Sequence, residues 1–256
     1  MNKISDAFNH GKAFIGFITA GDPDLETTKK IIKSMAQGGC DLVEIGIPFS
    51  DPIAEGEVIQ NANIRALKNN VTTDDVFDMT KEISKEIDIP MVYMTYLNVL
   101  FRYGYEKFLK NAHDCGISGV IIPDMPYEEK GELQSIAKQY GIEVVSLIAP
   151  TSEQRIKVIA KEAEGFIYAV SSLGVTGERS EIKTDLASIT KAIKEVTDIP
   201  VAIGFGINTP EQAKKYSAIS DGIIIGSAIV RIVAEHGKAA PEYVYKYVKS
   251  IKDAIK

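Results

Sequence analysis

The sequence predicts an α/β chain closed into a (β/α)8 (TIM) barrel, with extra helices after strand two and at the C-terminus. Three observations carry that reading. Eight short apolar runs alternate with amphipathic stretches over 256 residues, the length and rhythm of such a barrel. The runs are apolar with little alternation, as in parallel strands covered on both faces. The turns leading into them recur: Gly38-Gly39-Cys40-Asp41 and Cys115-Gly116-Ile117-Ser118-Gly119 each end a helix and enter a strand, as do Asp88-Ile89-Pro90 and Asp198-Ile199-Pro200. An open doubly wound sheet is the competing architecture. The count of eight and the lack of an early Gly-x-Gly-x-x-Gly weigh against it. No linker or low-complexity segment divides the chain, so residues 1–256 are expected to form a single barrel domain.

The elements follow in order. A turn at Ile4–Asn9 can cap the barrel bottom ahead of the first strand, Ala13–Thr19. Leu25–Gln37 carries Ile31, Ile32 and Met35 at helical spacing. Strand two, Leu42–Gly46, is stopped by Gly46 and Pro48, and an additional helix is expected at Glu57–Lys68. Thr73–Ile87 repeats Val76, Met79 and Ile83, with Thr73 ahead of Asp74 and Asp75 as its cap. Strand three is Met91–Tyr96, followed by a helix at Tyr105–Asp114; strand four is Gly119–Pro123, followed by a helix at Tyr127–Tyr140. Strand five, Glu143–Ala149, leads to a helix at Ser152–Ala163, whose start is signalled by Thr151-Ser152-Glu153. Strand six is Phe166–Ser171 and its helix Asp185–Val196. Strand seven, Val201–Phe205, precedes the helix Pro210–Ser217, which begins Thr209-Pro210-Glu211. Strand eight, Gly222–Gly226, and a terminal helix at Pro241–Ile255 complete the pattern.

Composition narrows the function. The formal net charge of -6 with no long single-sign run argues against a nucleic-acid surface and a polybasic membrane anchor. No apolar run reaches the ~20 residues of a membrane span, and Met1–His10 lacks the apolar core of a signal peptide. Cys40 and Cys115 sit in turns ahead of strands and read as reduced structural residues of a cytoplasmic protein. His10, His113 and His236 are scattered without metal-ligand spacing, so no metal site is expected.

The chemistry concentrates where strand two ends, in Asp41-Leu-Val-Glu-Ile-Gly-Ile-Pro-Phe-Ser-Asp-Pro-Ile-Ala-Glu-Gly56. Glu44 lies inside an apolar strand. A buried carboxylate needs partners, takes up a proton, or has a chemical task. A strand glutamate by itself is most simply an ion-pair partner. Here a Pro/Gly turn and a second acid, Glu55, follow it at the strand's carboxyl end, the edge where parallel α/β folds place their chemistry. Three glycine-rich segments share that edge: Gly174-Val-Thr-Gly177 after strand six, Gly204-Phe-Gly206 after strand seven, and Gly226-Ser227 after strand eight. Such loops bind phosphate through backbone N–H groups and a helix N-terminus, and the Ser227 hydroxyl adds a donor. Tight turns alone would account for one such segment more readily than for three. Thr19, Asp22, Tyr96, Asn98, Asp124 and Tyr168 also fall near this edge. For the tyrosines, core packing with a satisfied hydroxyl is the simpler role; for Asp124, loop capping or partner contact is as good a reading as catalysis. The residues therefore imply a phosphorylated substrate with an apolar body and proton transfer by carboxylates. They do not specify a reaction.

At this point the motifs resemble those of the tryptophan synthase α subunit family. The matching segments are Phe17-Ile-Thr-Ala-Gly-Asp-Pro23, Glu44-Ile-Gly-Ile-Pro-Phe-Ser-Asp-Pro-Ile-Ala, Ile59-Gln-Asn-Ala-Asn63, Met94-Thr-Tyr-Leu-Asn98, Ile121-Ile-Pro-Asp-Met-Pro126, Gly174-Val-Thr-Gly177, Gly204-Phe-Gly-Ile207 and Gly226-Ser-Ala-Ile-Val230. The resemblance implies retro-aldol cleavage of indole-3-glycerol phosphate to indole and glyceraldehyde 3-phosphate, in the last steps of tryptophan biosynthesis. It implies that Glu44 is the catalytic acid and that Glu55 is the second acid, which hydrogen-bonds the indole N–H. By the same resemblance Phe17, Tyr96 and Phe205 line the indole pocket or its edge. Tyr168 lies beside the glycerol portion, and Thr176 helps position the catalytic acid. Gly177, Gly206, Gly226 and Ser227 bind phosphate. Three positions depart from the family pattern: Glu55 stands where aspartate is usual, Glu57 where proline is usual, and Ser172 where arginine is often found. The resemblance further implies a β-subunit partner in an α2β2 complex, with pyridoxal phosphate bound only by that partner and no cofactor in this chain. The partner surface would include Ser50–Gly56, Asn98–Tyr103 and Asp124–Glu128. Two other readings stay open: another phosphate-binding barrel isomerase or aldolase, and a regulatory barrel with weak chemistry of its own. The first calls for a strand lysine or metal ligands, and none of the eight proposed strands contains a lysine.

Overall fold

A computed structural model describes residues 3–170, 185–204 and 206–256. Eight parallel strands close on themselves in chain order, β1-β2-β3-β4-β5-β6-β7-β8, with β8 pairing back to β1. The strands are β1 (Ala13–Thr19), β2 (Leu42–Gly46), β3 (Met91–Met94), β4 (Gly119–Ile121), β5 (Glu143–Ile148), β6 (Ile167–Val170), β7 (Val201–Gly204) and β8 (Gly222–Ile225). Closure satisfies both edges of every strand, which is why runs this short hold together. The helices are α1 (Leu25–Gly38), α2 (Glu57–Lys68), α3 (Thr73–Ile83), α4 (Leu97–Tyr103), α5 (Tyr105–Asp114), α6 (Lys130–Gln139), α7 (Glu153–Lys161), α8 (Leu186–Lys194), α9 (Pro210–Ser217), α10 (Ser227–His236) and α11 (Ala240–Ala254).

Side chains alternate across the barrel wall. Phe14, Ile18, Val43, Ile45 and Tyr93 point outward into the large core beneath the helices, whereas Ile15, Leu42, Val92, Ile121, Val145 and Ile224 fill the barrel interior. Ile4 and Ala7, from a 3-10 turn at Ile4–Phe8, close that interior from below. The interior thus needs apolar residues on both faces of each strand, the pattern visible in the sequence.

Most observed strands end one or two residues before the predicted boundary, because pairing stops once the chain turns into the mouth loops. Thr95 and Tyr96 leave β3 in this way, and Tyr96 becomes the N-cap of α4. Ser171 and Phe205, the predicted last residues of strands six and seven, lie outside the described residues. The helix at Thr73 is capped one residue earlier than expected: Thr72 accepts a hydrogen bond from the Asp75 N–H, and Asp75 reaches back to the Thr72 N–H. Two helices, α4 and α10, lie where the sequence pattern predicts none. Helix α4 is a short run of strand-forming residues, and Asp124, from the loop after β4, accepts a hydrogen bond from the Leu97 N–H at 2.9 Å. Helix α10 reads Ser-Ala-Ile-Val-Arg-Ile-Val, as apolar as a strand, and starts without a side-chain cap.

Candidate active site

Register sets the site. In β2 the inward sequence is Leu42 then Glu44, with Glu44 opposite Phe17 of β1 and Val92 of β3. Glu44 therefore stands in the barrel, one layer above the apolar filling. Its side chain is 0 % exposed, and neither carboxylate oxygen has a hydrogen-bond partner among the described residues. Without such partners, burial dominates and pushes its pKa up to about 8. A carboxyl group in this state holds its proton at neutral pH.

The chain then runs through Pro48 to Pro52 and brings Glu55 back over the barrel mouth, only 9 % exposed. Its surroundings differ from those of Glu44. Asn63 of α2 donates Nδ2–H to Glu55 Oε2 at 2.6 Å, Gln60 donates to the Glu55 carbonyl at 2.7 Å, and the Tyr96 hydroxyl also bonds the carboxylate. Burial raises the Glu55 pKa, the hydrogen bonds oppose it, and the balance lies at about 7. The two acids are thus poised differently: one neutral and bare, the other ready to ionise and held by donors. Glu57, in place of the usual proline, is the first residue of α2, where proline is also well tolerated; its charge favours the helix N-terminus.

One cavity gathers most of the predicted residues. Phe17, Glu44, Glu55 and Tyr168 line it, together with Gly206, Gly226 and Ser227 on the side of β7 and β8. Apolar Ile59, Met94, Ile207 and Ile224 fill in between. Gly206 has φ +96°, the left-handed region that glycine enters without strain. Gly226 is the N-cap of α10 and Ser227 its first residue, so the unpaired N–H groups of a ten-residue helix open toward this side. Tyr168 needs space as well: a Cβ on Gly204 would fall 2.5 Å from its ring. Tyr96 stacks on Phe49 with ring centroids 5.2 Å apart and accepts the Ala54 N–H at 3.1 Å, so it braces the acid loop from behind. Thr176, Gly177, Phe205 and Ser172 lie outside the described residues. Asp22, also near the mouth, is engaged in a bidentate pair with Arg65 of α2, both contacts at 2.8 Å. Asn63 and Gln60 fall in the Ile59–Asn63 motif, which by itself assigns them no role; their signal is an amide pair three residues apart on one helix face, following the acid loop.

An acid in a barrel, a second acid over its mouth and a glycine–helix cradle opposite them match one known family over nearly the whole length. The family model described as "Tryptophan synthase alpha chain" matches residues 5–256. The chain belongs to the tryptophan synthase alpha chain family. It is 51% identical over 255 residues to the tryptophan synthase alpha chain of Lacticaseibacillus casei, covering 100% of this chain and 96% of that one. It is 46% identical over 262 residues to that of a Thermoanaerobacter strain, with 100% of both covered. Among solved structures, subunit alpha from Legionella pneumophila superposes with a TM-score of 0.90 at 34% identity, covering 100% and 98% of the two chains. A chain of the tryptophan synthase complex from Pyrococcus furiosus gives 0.88 at 34%, covering 95% and 98%. The family's reaction is lysis of indole-3-glycerol phosphate to indole and glyceraldehyde 3-phosphate, and this chain is a carbon–carbon lyase of that kind. Membership also displaces the reading as a different phosphate-binding isomerase or aldolase.

Proposed function

We propose that Glu44 and Glu55 divide the retro-aldol reaction between them, with the substrate phosphate held by Gly206, Gly226 and Ser227. Carbon C3 of the indole must gain a proton before it can leave. Glu44 supplies it, because its carboxyl is neutral near pH 7. Protonation places positive charge on the ring nitrogen, and the ionised Glu55 carboxylate accepts the indole N–H and stabilises that charge. The carboxylate left on Glu44 then takes the proton from the hydroxyl on the carbon joined to C3. That O–H pair becomes the aldehyde C=O, the C–C bond breaks, and its electrons return to the ring as indole leaves. Protons balance, and Glu44 ends as it began. Phe17, Tyr96 and Phe205 shape the indole pocket and its edge. Tyr168 borders the glycerol portion, and Thr176 and Gly177 complete the acid's support and the phosphate cradle. The observation that carries this reading is the fully buried Glu44 carboxyl, without a hydrogen-bond partner among the described residues, in the same cavity as Glu55.

The same reading takes residues 1–256 as one barrel domain acting in the cytoplasm; among the described residues no helix is long and apolar enough to cross a membrane. Its partner is the β subunit of an α2β2 complex, an assembly named for the Pyrococcus furiosus relative. Pyridoxal phosphate belongs to that partner. The partner face is the mouth loops, where Ile53 and Phe101 are 72 % and 71 % exposed despite being large and apolar. Indole release from indole-3-glycerol phosphate, measured with and without β subunit, tests the roles of the two acids and the partnership. Turnover that rises with the partner and disappears in Glu44→Gln supports the lyase assignment of roles. A chain that binds and activates the β subunit yet turns over no substrate is a regulatory barrel instead.

A further inference from the structure

The loop carrying Glu55 is fastened at three places. Tyr96 accepts the Ala54 N–H, Gln60 donates to the Glu55 carbonyl, and Asn63 donates to the Glu55 carboxylate at 2.6 Å. Two of the three donors stand on α2, three residues apart and so on one face. The helix is itself fixed to the barrel. Ile59 and Ala62 pack against Phe17 and Val230, and Arg65 grips the buried Asp22 of the β1 loop. Asn63 is buried in the middle of this helix, a position where asparagine is a poor helix former and a bare amide is costly. Its donor is spent on Glu55, at the reach that the longer acid provides.

We propose that Asn63 is a positioning residue for the lyase reaction, aiming the Glu55 carboxylate at the indole N–H and favouring its ionised form, and that the Glu55–Asn63 pair is matched in length. The inference rests on the role assigned to Glu55 above. An amide N–H at 2.6 Å strengthens as the acceptor gains charge, so Asn63 favours the carboxylate over the acid. The other titratable groups lining the cavity among the described residues are Glu44 from β2 and Tyr168 from β6; Tyr96, from the end of β3, hydrogen-bonds the Glu55 carboxylate and favours the same ionised form, and none of these brings positive charge to Glu55.

The test is the pH dependence of kcat/KM for indole release, in the chain with its β subunit. In Asn63→Leu the acidic limb is expected to move up by about one pH unit and the rate at pH 7 to fall about fivefold, with the alkaline limb in place. A buried amide that only supports packing would lower thermal stability and leave the acidic limb where it was, and that result overturns the proposal. A length exchange gives the second arm. Glu55→Asp and Asn63→Gln each break the match; together they restore the summed length. The double variant is expected to exceed the poorer single by about tenfold. A double variant no better than the product of the singles rules out the pairing, and this arm decides if Asn63→Leu fails to fold. Glu55→Gln separates the two levels: wild-type activity there removes the role of Glu55 itself, whereas loss there with Asn63 variants unaffected removes only the positioning role.

Discussion

At the level of single residues, Glu44 and Glu55 tie catalysis to stability. The Glu44 carboxyl is raised from 4.5 to about 8 by burial, so between those values the folded chain keeps a proton that the unfolded chain releases. Stability from this group is complete below about 4.5 and drains away as pH rises toward 8. Glu55 contributes with the same sign up to about 7, against its opposing hydrogen bonds. Glu44→Gln removes the larger proton linkage. Thermal melts from pH 5 to 8 should therefore show a smaller loss of Tm for Glu44→Gln than for the parent chain, with the difference saturating above 8. Parallel pH slopes would mean that the carboxyl is ionised and partnered in solution. Activity shares the demand for a protonated Glu44 but opposes stability at Glu55, which must be ionised. The kcat/KM profile should be a narrow bell with limbs near 7 and 8, and Glu44→Gln should lose at least about a hundredfold at its peak. A flat profile across that range would contradict the division of labour between the two acids.

Elements outside the barrel wall hold these residues in place, and α2 bears most of that task. Asp22 is 2 % exposed and its charge is met by Arg65, which is partly open to water. Removing one member leaves the other stranded. Arg65→Met should cost about 2 kcal/mol or more in urea unfolding, and Asp22→Asn combined with Arg65→Met less than the sum of the two singles. Additive costs would show that the pair is not coupled. Helix α4 depends on a cap from outside its own sequence. Asp124→Ala removes the acceptor for the Leu97 N–H and should cost about 1 kcal/mol, with amide exchange accelerated over Leu97–Tyr103. The same contact explains why α4 was illegible in the sequence. Its start signal lies 27 residues further along the chain, and its own residues favour strand. Helix α10 escaped notice because it follows β8 directly with no side-chain cap, and its first four residues, Ser-Ala-Ile-Val, read as a continuation of the apolar strand before Arg231 opens its wet side. The amphipathic helices, with one wet face each, carried a periodic signal and were legible.

Across the whole molecule, the eight-fold rhythm was legible because each βα unit repeats the same burial problem: two covered faces for the strand, one for the helix. Closure itself follows from the count. The acids were legible too, since a carboxylate inside an apolar strand has few explanations. What the sequence did not reveal was the support of Glu55 by Asn63 and Tyr96, which exists only once α2 and the end of β3 are brought to the same loop. One surface property also belongs to this scale. Ile53 follows β2 and Phe101 lies on α4 after β3, so both large apolar side chains sit exposed at the carboxyl rim, near the acid loop but absent from the lining of the catalytic cavity. On the proposed partner face they are the natural anchors, because buried aromatic contacts dominate interface energies. Phe101→Asp should weaken titrated β-subunit binding at least about tenfold and reduce partner-stimulated turnover in proportion, while the rate of the isolated chain stays unchanged. Unaltered affinity would move the interface to another part of the rim. A fall in the isolated rate would instead tie Phe101 to the acid loop.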